Sequence, residues 1–187
     1  MKNCFISGGA RGADTIYKSW AENAGHEIRI FRPEDINDAD RKLYSVALKR
    51  ANESLGRKYP TGNSYTNDLL LRTAKSIFRM AVPDSIHALC YMKGNEVLGG
   101  TAWGIQIFID IMVYWKKTQD LPIYLYDLEA KQWKKHDVSE QVGEKILTCW
   151  KPIEPPDFPE GYWMGIGSRR IDYNFKLVEI YNGQNDK

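Results

Sequence analysis

An apolar strand that breaks at glycine and runs into a helix occurs three times here, and that recurrence constrains the fold more than any other feature. The three places are Ser7-Gly-Gly-Ala-Arg-Gly-Ala-Asp14, Gly99-Gly-Thr101 and Gly165-Ile-Gly-Ser-Arg169. Around the first, residues 3–7 read as a short buried strand ending at Gly8-Gly9. From about Asp14, Ile16, Trp20, Ala21 and Ala24 recur at helical spacing until Gly25, a natural stop. Residues 27–31 then alternate as a strand does, so the first thirty residues make a strand–helix–strand unit with a right-handed crossover between parallel strands. The expected fold class is α/β, a Rossmann-like parallel sheet with helices on both faces.

The remaining elements fit that class. Helical stretches are predicted over 38–55, with Leu43, Val46, Ala47, Ala51 and Leu55 on one face, and over 65–81. Between them, residues 57–64 carry turn chemistry. Residues 32–83 therefore read as a helical insertion or lid within one 1–187 domain. Ser85–Met92 suits a central parallel strand. The helix expected at about Thr101–Lys117 is apolar almost all round, which calls for burial on more than one side, in the core or against a second copy of the chain. A homo-oligomer is the expectation drawn from it. Pro122–Tyr126 is a further strand, and Lys131–His136 reads as a surface turn or edge segment. The proline-rich 151–161 reads as a stiff connection. Tyr162–Ile166 is a last strand, and residues 172–182 a final short helix.

Composition excludes several classes. With 26 basic and 24 acidic residues the net charge is only +2, too balanced for a dedicated nucleic-acid coat, so nucleic acid is an unlikely partner. Cys4, Cys90 and Cys149 show no paired spacing, which argues against a disulfide framework or a metal site. No 18-residue apolar run is present, so no membrane partner is expected. Met1–Gly8 is too short and too quickly polar for a signal peptide, and a cytoplasmic location is expected.

Glycine admits positive φ and lets an anion approach a backbone that carries no Cβ. The helix behind each turn offers unpaired N–H groups and the positive end of its macrodipole, a combination that binds phosphate. One such turn is a common connection. Three at the carboxyl ends of parallel strands mark the crevice where open α/β sheets bind ligands. Candidate ligand-binding residues are thus Ser7, Gly8, Gly9, Ala10, Arg11 and Asp14 at the first turn. Gly99, Gly100, Thr101 and Gln106 follow at the second, and Gly165, Gly167, Ser168 and Arg169 at the third. Arg11 and Arg169 could grip phosphate oxygens with a guanidinium fork. Asp14 suits a cap of its own helix better than a ribose contact. Tyr65 and Trp103 are candidates to stack on a base, with core packing the better reading of Trp103. No cofactor and no metal are indicated, and no catalytic residue is identified.

The first run resembles the signature of the SLOG superfamily, which includes Smf/DprA and Lonely-guy proteins. Gly99-Gly-Thr-Ala-Trp-Gly-Ile-Gln106, Trp133 and the closing Gly165-Ile-Gly-Ser-Arg169 extend the resemblance to small SLOG proteins of phages and their bacterial hosts. It covers residues 3–31 and 84–182. In many such relatives the GIGSR strand comes first, so the resemblance implies a circular permutation. The C-terminus would then supply the 162–166 strand beside strand 3–7, and the last helix would end near Met1. Relatives also show Arg-Asn near Arg72, which implies a ligand role for Arg72, although Thr73 follows it here.

The resemblance bears on chemistry as well. Lonely-guy enzymes use a glutamate one turn into the helix after their glycines, whereas this chain has neutral Gln106, and Asp110 lies farther along. Binding is therefore the first reading: sensing or sequestration of a nucleotide or nucleotide-derived signal, such as an ADP-ribose derivative or cyclic nucleotide, in a phage anti-defence setting. The alternative is a nucleotide-processing hydrolase or N-glycosidase acting through residues such as Asp14 or Glu96. Single-stranded DNA binding is the third.

Overall fold

A computed structural model describes residues 2–78, 82–114, 121–137 and 149–182. In chain order the elements are β1 (Cys4–Ser7), α1 (Ala13–Asn23), β2 (Glu27–Ile30), α2 (Asp38–Leu55), α3 (Ser64–Phe78) and β3 (Ser85–Cys90). A small hairpin of β4 (Met92–Lys93) and β5 (Glu96–Val97) precedes α4 (Thr101–Tyr114). There follow β6 (Ile123–Asp127), β7 (Gln132–His136), β8 (Trp150–Pro152) and β9 (Tyr162–Gly167). The predicted helix ends at 79–81 and 115–117 lie outside the described residues.

Seven strands form one sheet in the order β2-β1-β9-β3-β6-β7-β8. The first five are mutually parallel, and β7 and β8 extend the edge in antiparallel pairing. This is the expected Rossmann-like α/β arrangement, and the C-terminal strand does enter its middle. β9 pairs with β1 through Cys4–Tyr162, Phe5–Trp163 and Ile6–Met164, and with β3 on its other side. Met1 lies outside the described residues.

Helices cover both faces. On one, α1 packs over Phe5 and Trp163, with Ile16, Tyr17 and Ala21 buried against them. On the other, α4 lies against the sheet under α2 and α3, and Ile105, Phe108 and Ile109 are fully buried there. Burial on all sides thus accounts for the apolar circumference of α4 inside one chain, and the ground for expecting an oligomer falls away. The 32–83 region is correspondingly a packed layer, not only a lid. Its buried stripe on α2 is Tyr44, Leu48 and Ala51, whereas Leu43 and Val46, expected to face inward, are 64% and 68% exposed. The seam runs one residue round the helix from the expected one because Tyr44 carries the bulk that fills it.

Two polar ties set α3 on α2. The buried Lys75 Nζ donates to Asp40 Oδ2 at 2.6 Å and to the Asp35 carbonyl at 2.8 Å. Arg41 reaches Asp68 with a two-pronged ion pair whose Nη2–Oδ2 arm is 3.0 Å. Together they place the next turn of α3, which carries Arg72, over the ends of β1 and β9.

Two other expectations are corrected. Lys131–His136 is largely a true strand, β7, and Trp133 is buried against Tyr126 and Tyr181, donating its indole N–H to the Ile180 carbonyl. Residues 172–182 hold only a single 3-10 turn at Leu177–Glu179. The Asn174 N–H is captured at 2.9 Å by the Asp172 side chain, a local bond that competes with helix formation. No helix among the described residues is long and apolar enough to cross a membrane.

Candidate functional site

The three glycine turns open into one cleft of about 780 Å³ at the carboxyl end of the parallel strands. That volume falls within the roughly 300–1,000 Å³ typical of small-molecule sites. Gly8, Ala10 and Asp14 line it from the first turn, and Gly99, Gly100 and Thr101 from the second. Gly167, Ser168 and Arg169 line it from the third, with Arg170 beside them. One wall is α3, through Thr66, Leu69, Leu70, Arg72 and Thr73. Leu98 and Tyr91, both substantially exposed, add apolar surface to the lining.

Arg72 dominates the electrostatics. Its guanidinium lies across Gly8, occupying the space that a Cβ there would need. The side chain is only 8% exposed, and its Nη1 stands 3.6 Å from Asp14 Oδ2, as close to 8% exposed. Its buried Nε has no hydrogen-bond partner. Burial weakens its hold on the proton, an effect that Asp14 opposes and Arg169 reinforces. Burial likewise raises the Asp14 carboxyl above the usual carboxylate range, against the pull of Arg72 and the Ala10 N–H. A buried guanidinium with an unused donor is short of acceptors, a state that costs free energy.

Asp14 does not cap its helix, as the sequence suggested. The cap position of α1 is Gly12, and the Asp14 carboxylate folds back to accept from the Ala10 N–H at 3.2 Å. The Gly9 N–H turns to the Ser7 hydroxyl at 3.2 Å, and the Ala13 N–H donates to the Ser168 carbonyl at 3.0 Å. The first and third turns are in this way stitched to each other. Gly167 belongs to the same joint, since a Cβ there would overlap the Leu89 carbonyl oxygen and come within 2.6 Å of Ala13 Cβ.

The second turn differs. The element before its glycines is β5 of the hairpin, not the long strand β3. Gly99 has φ +70°, which its glycine tolerates, and a Cβ on either Gly99 or Gly100 would meet open space. Thr101 is the first residue of α4, whose earliest N–H groups have no acceptor a turn behind them. The hydrogen bonds at this turn run instead through carbonyls. Arg57 Nη1 donates to the Gly99 carbonyl at 2.6 Å and Nη2 to that of Val97 at 3.2 Å, while the Gly100 carbonyl accepts from the Trp103 N–H at 3.1 Å.

Several sequence candidates sit apart from the cleft. Ser7 is buried behind the first turn, while Gly9 and Arg11 are exposed outside the lining. Gly165 packs against Phe5 and Tyr17, where a Cβ would come within 2.8 Å of both. Gln106 is buried on α4 and donates at 2.9 Å to Asp110, which leaves it away from the lining. Trp103 is core, edge-on to Tyr59. Tyr65 is 59% exposed, one residue before Thr66 and outside the lining.

Arg57 escaped the sequence reading because it sits in the 57–64 loop, forty residues from the carbonyls it holds. Among the described residues Asp14 is the one carboxylate lining the cleft, and Glu96 and Asp110 are not part of it. No family model, curated protein or solved structure matches this chain.

Proposed function

We propose that this chain binds a nucleotide or nucleotide-derived signalling molecule, holding it by a phosphate group in the cleft where the three turns meet. The observation that carries the reading is Arg72, a nearly buried guanidinium with an unpartnered Nε on the wall of that cleft. A phosphate accepting from this guanidinium would make charge-assisted hydrogen bonds, each contributing about 1.5–3 kcal/mol. Arg169 and Arg170 at the mouth add positive charge, and the Gly99–Thr101 turn adds amides at the start of α4. Leu98, Tyr91 and Leu69 offer an apolar wall suited to the body of a base or sugar. Holding the molecule, as a sensor or sequestering protein would, suits a site so poor in acid–base groups.

The test is titration calorimetry of the chain against AMP, ADP, ADP-ribose, cyclic dinucleotides and inorganic phosphate. Saturable binding to at least one phosphate compound is expected, abolished in Arg72→Met. Heat-silent titrations across the whole panel, from a protein shown to be folded, would overturn the reading. A second reading, a nucleotide hydrolase, is favoured by Asp14 alone, a buried carboxyl on the cleft wall whose burial favours the protonated form suited to a general acid. Recovering the bound compound intact supports holding. Release of free base or ribose phosphate, lost in Asp14→Asn, supports the hydrolase.

A further inference from the structure

We propose that Arg57 is a positioning residue for the anion seat, acting from behind the second turn by fixing the direction of one peptide plane. This rests on the phosphate-binding reading above. The Gly99–Gly100 peptide is trans, because the one cis peptide among the described residues is Tyr59–Pro60. In a trans peptide the carbonyl and the following N–H point to opposite sides. Arg57 holds the Gly99 carbonyl at 2.6 Å, so the Gly100 N–H is turned away from Arg57. Gly100 lines the cleft and Arg57 does not.

The neighbouring peptide obeys the same geometry. Arg57 takes the Val97 carbonyl at 3.2 Å, and the Leu98 N–H, on the other side of that plane, donates to the Tyr91 carbonyl at 3.2 Å. One guanidinium therefore sets two planes that are two residues apart, a span its rigid fork covers and a lysine's single ammonium does not. The device matters because, among the described residues, only Arg57 holds the Gly99 carbonyl. Both glycines face open space, and Gly99 at φ +70° has more backbone freedom than any other residue type would there. A flip of the Gly99–Gly100 peptide would exchange a donor for a carbonyl oxygen in a site that must hold negative charge. Half-buried Arg57 also resists becoming a ligand itself, since both its terminal nitrogens are engaged.

The experiment uses inorganic phosphate and AMP as probes, with Arg57→Ala and Arg57→Lys compared with the unaltered chain. Melting temperature confirms that each variant is folded. In the unaltered chain, added phosphate should move the Gly100 amide in a 15N–1H spectrum. Arg57→Lys should bind at least tenfold more weakly than the unaltered chain, and Arg57→Ala at least as weakly as Arg57→Lys, with the Gly100 response reduced in both. Since lysine keeps the charge, Arg57→Lys carries the decision even should Arg57→Ala fail to fold. The proposal is overturned by unaltered affinity in Arg57→Lys, which would make Arg57 a plain charge, or by a phosphate response at Ala10 and Arg11 without one at Gly100. An unaltered chain that binds neither probe nor any phosphate compound overturns the phosphate-binding reading itself, and this proposal with it.

Discussion

The first and second glycine turns both open with a Gly-Gly pair but use their backbone groups in opposite ways. At Gly8–Asp14 the N–H groups of Gly9, Ala10 and Ala13 are taken up, by the Ser7 hydroxyl, the Asp14 carboxylate and, from the third turn, the Ser168 carbonyl. At Gly99–Thr101 the carbonyls are taken up instead, two of the local ones by Arg57. The difference comes from flanking side chains. Ser7 and Asp14 accept from amides within four residues of them, whereas the side chains of Asn95, Glu96 and Thr101, equally near the second turn, take none of its N–H groups. The glycine turn next to Ser and Asp is a structural joint, whereas at the one backed by a distant arginine it is the carbonyls that are engaged.

The joint is where the largest effect is expected. Gly167→Ala would drive a methyl into the Leu89 carbonyl oxygen and against Ala13, both fixed by the sheet and α1. A loss of about 4 kcal/mol or more is expected in urea denaturation, in the range reserved for backbone clashes at buried positions. A loss under about 1 kcal/mol would mean that the first and third turns are not locked together, and the contrast would break.

Arg72 comes next. Its truncation in Arg72→Ala leaves Asp14 buried without its cationic neighbour, and removing one partner of a buried pair costs about 3 kcal/mol. Adding Asp14→Ala should return part of that loss, because the stranded carboxyl is then gone as well. Simple additivity of the two changes, measured by the same denaturation, would show that the pair is not coupled and that the first turn is held by its amide bonds alone.

Much of this architecture was legible from periodicity and glycine placement. The parallel strands, α1, α2 and the late entry of the C-terminal strand beside Cys4–Ser7 follow from local patterns or from the order of motifs. The meeting of the first and third turns followed from where parallel strands end, whereas the second reaches the same cleft from the β4–β5 hairpin. What stayed hidden depends on contacts distant in sequence. The Arg57 grip on Gly99, the Lys75 tie to Asp40 and the burial of Trp133 by the 175–181 segment each join residues far apart. Gln106 misled for a related reason. Its spacing from Thr101 was right for a helix facing a ligand, but α2 and α3 close over that helix, and Gln106 satisfies Asp110 instead.

The contrast between turns can be measured only where the sheet is intact, and His87 on β3 sets that limit. It is fully enclosed against Tyr124, Trp163 and Tyr181, with Nδ1 2.8 Å from the Tyr181 hydroxyl, and burial pushes its pKa down to about 3. The unfolded chain takes up a proton near pH 6.5 that the folded chain refuses until about 3. Folded stability is therefore greatest above pH 6.5 and falls as pH drops, by up to about 1.4 kcal/mol per unit. At pH 5 the loss from this group is about 2 kcal/mol. Unfolding free energy followed from pH 7 to pH 5 should show that decline, with a shallower one in His87→Phe. Equal slopes would place the acid sensitivity elsewhere and leave lower pH open for comparing the turns.

The smallest stability effect is expected at Gly100, and it is the most discriminating. Its φ lies outside the left-handed region and a Cβ would touch nothing within 4 Å, so the fold itself does not require glycine there. Gly100→Ala should change unfolding free energy by less than about 0.5 kcal/mol, or raise it slightly by restricting the unfolded chain. Yet the added methyl would stand where an anion must approach the backbone, and phosphate or AMP affinity should fall at least tenfold. Stability and binding thus separate at Gly100, whereas at Gly167 they fall together. If Gly100→Ala binds as the unaltered chain does, the open second turn is no anion seat, and its two glycines answer to something other than the cleft.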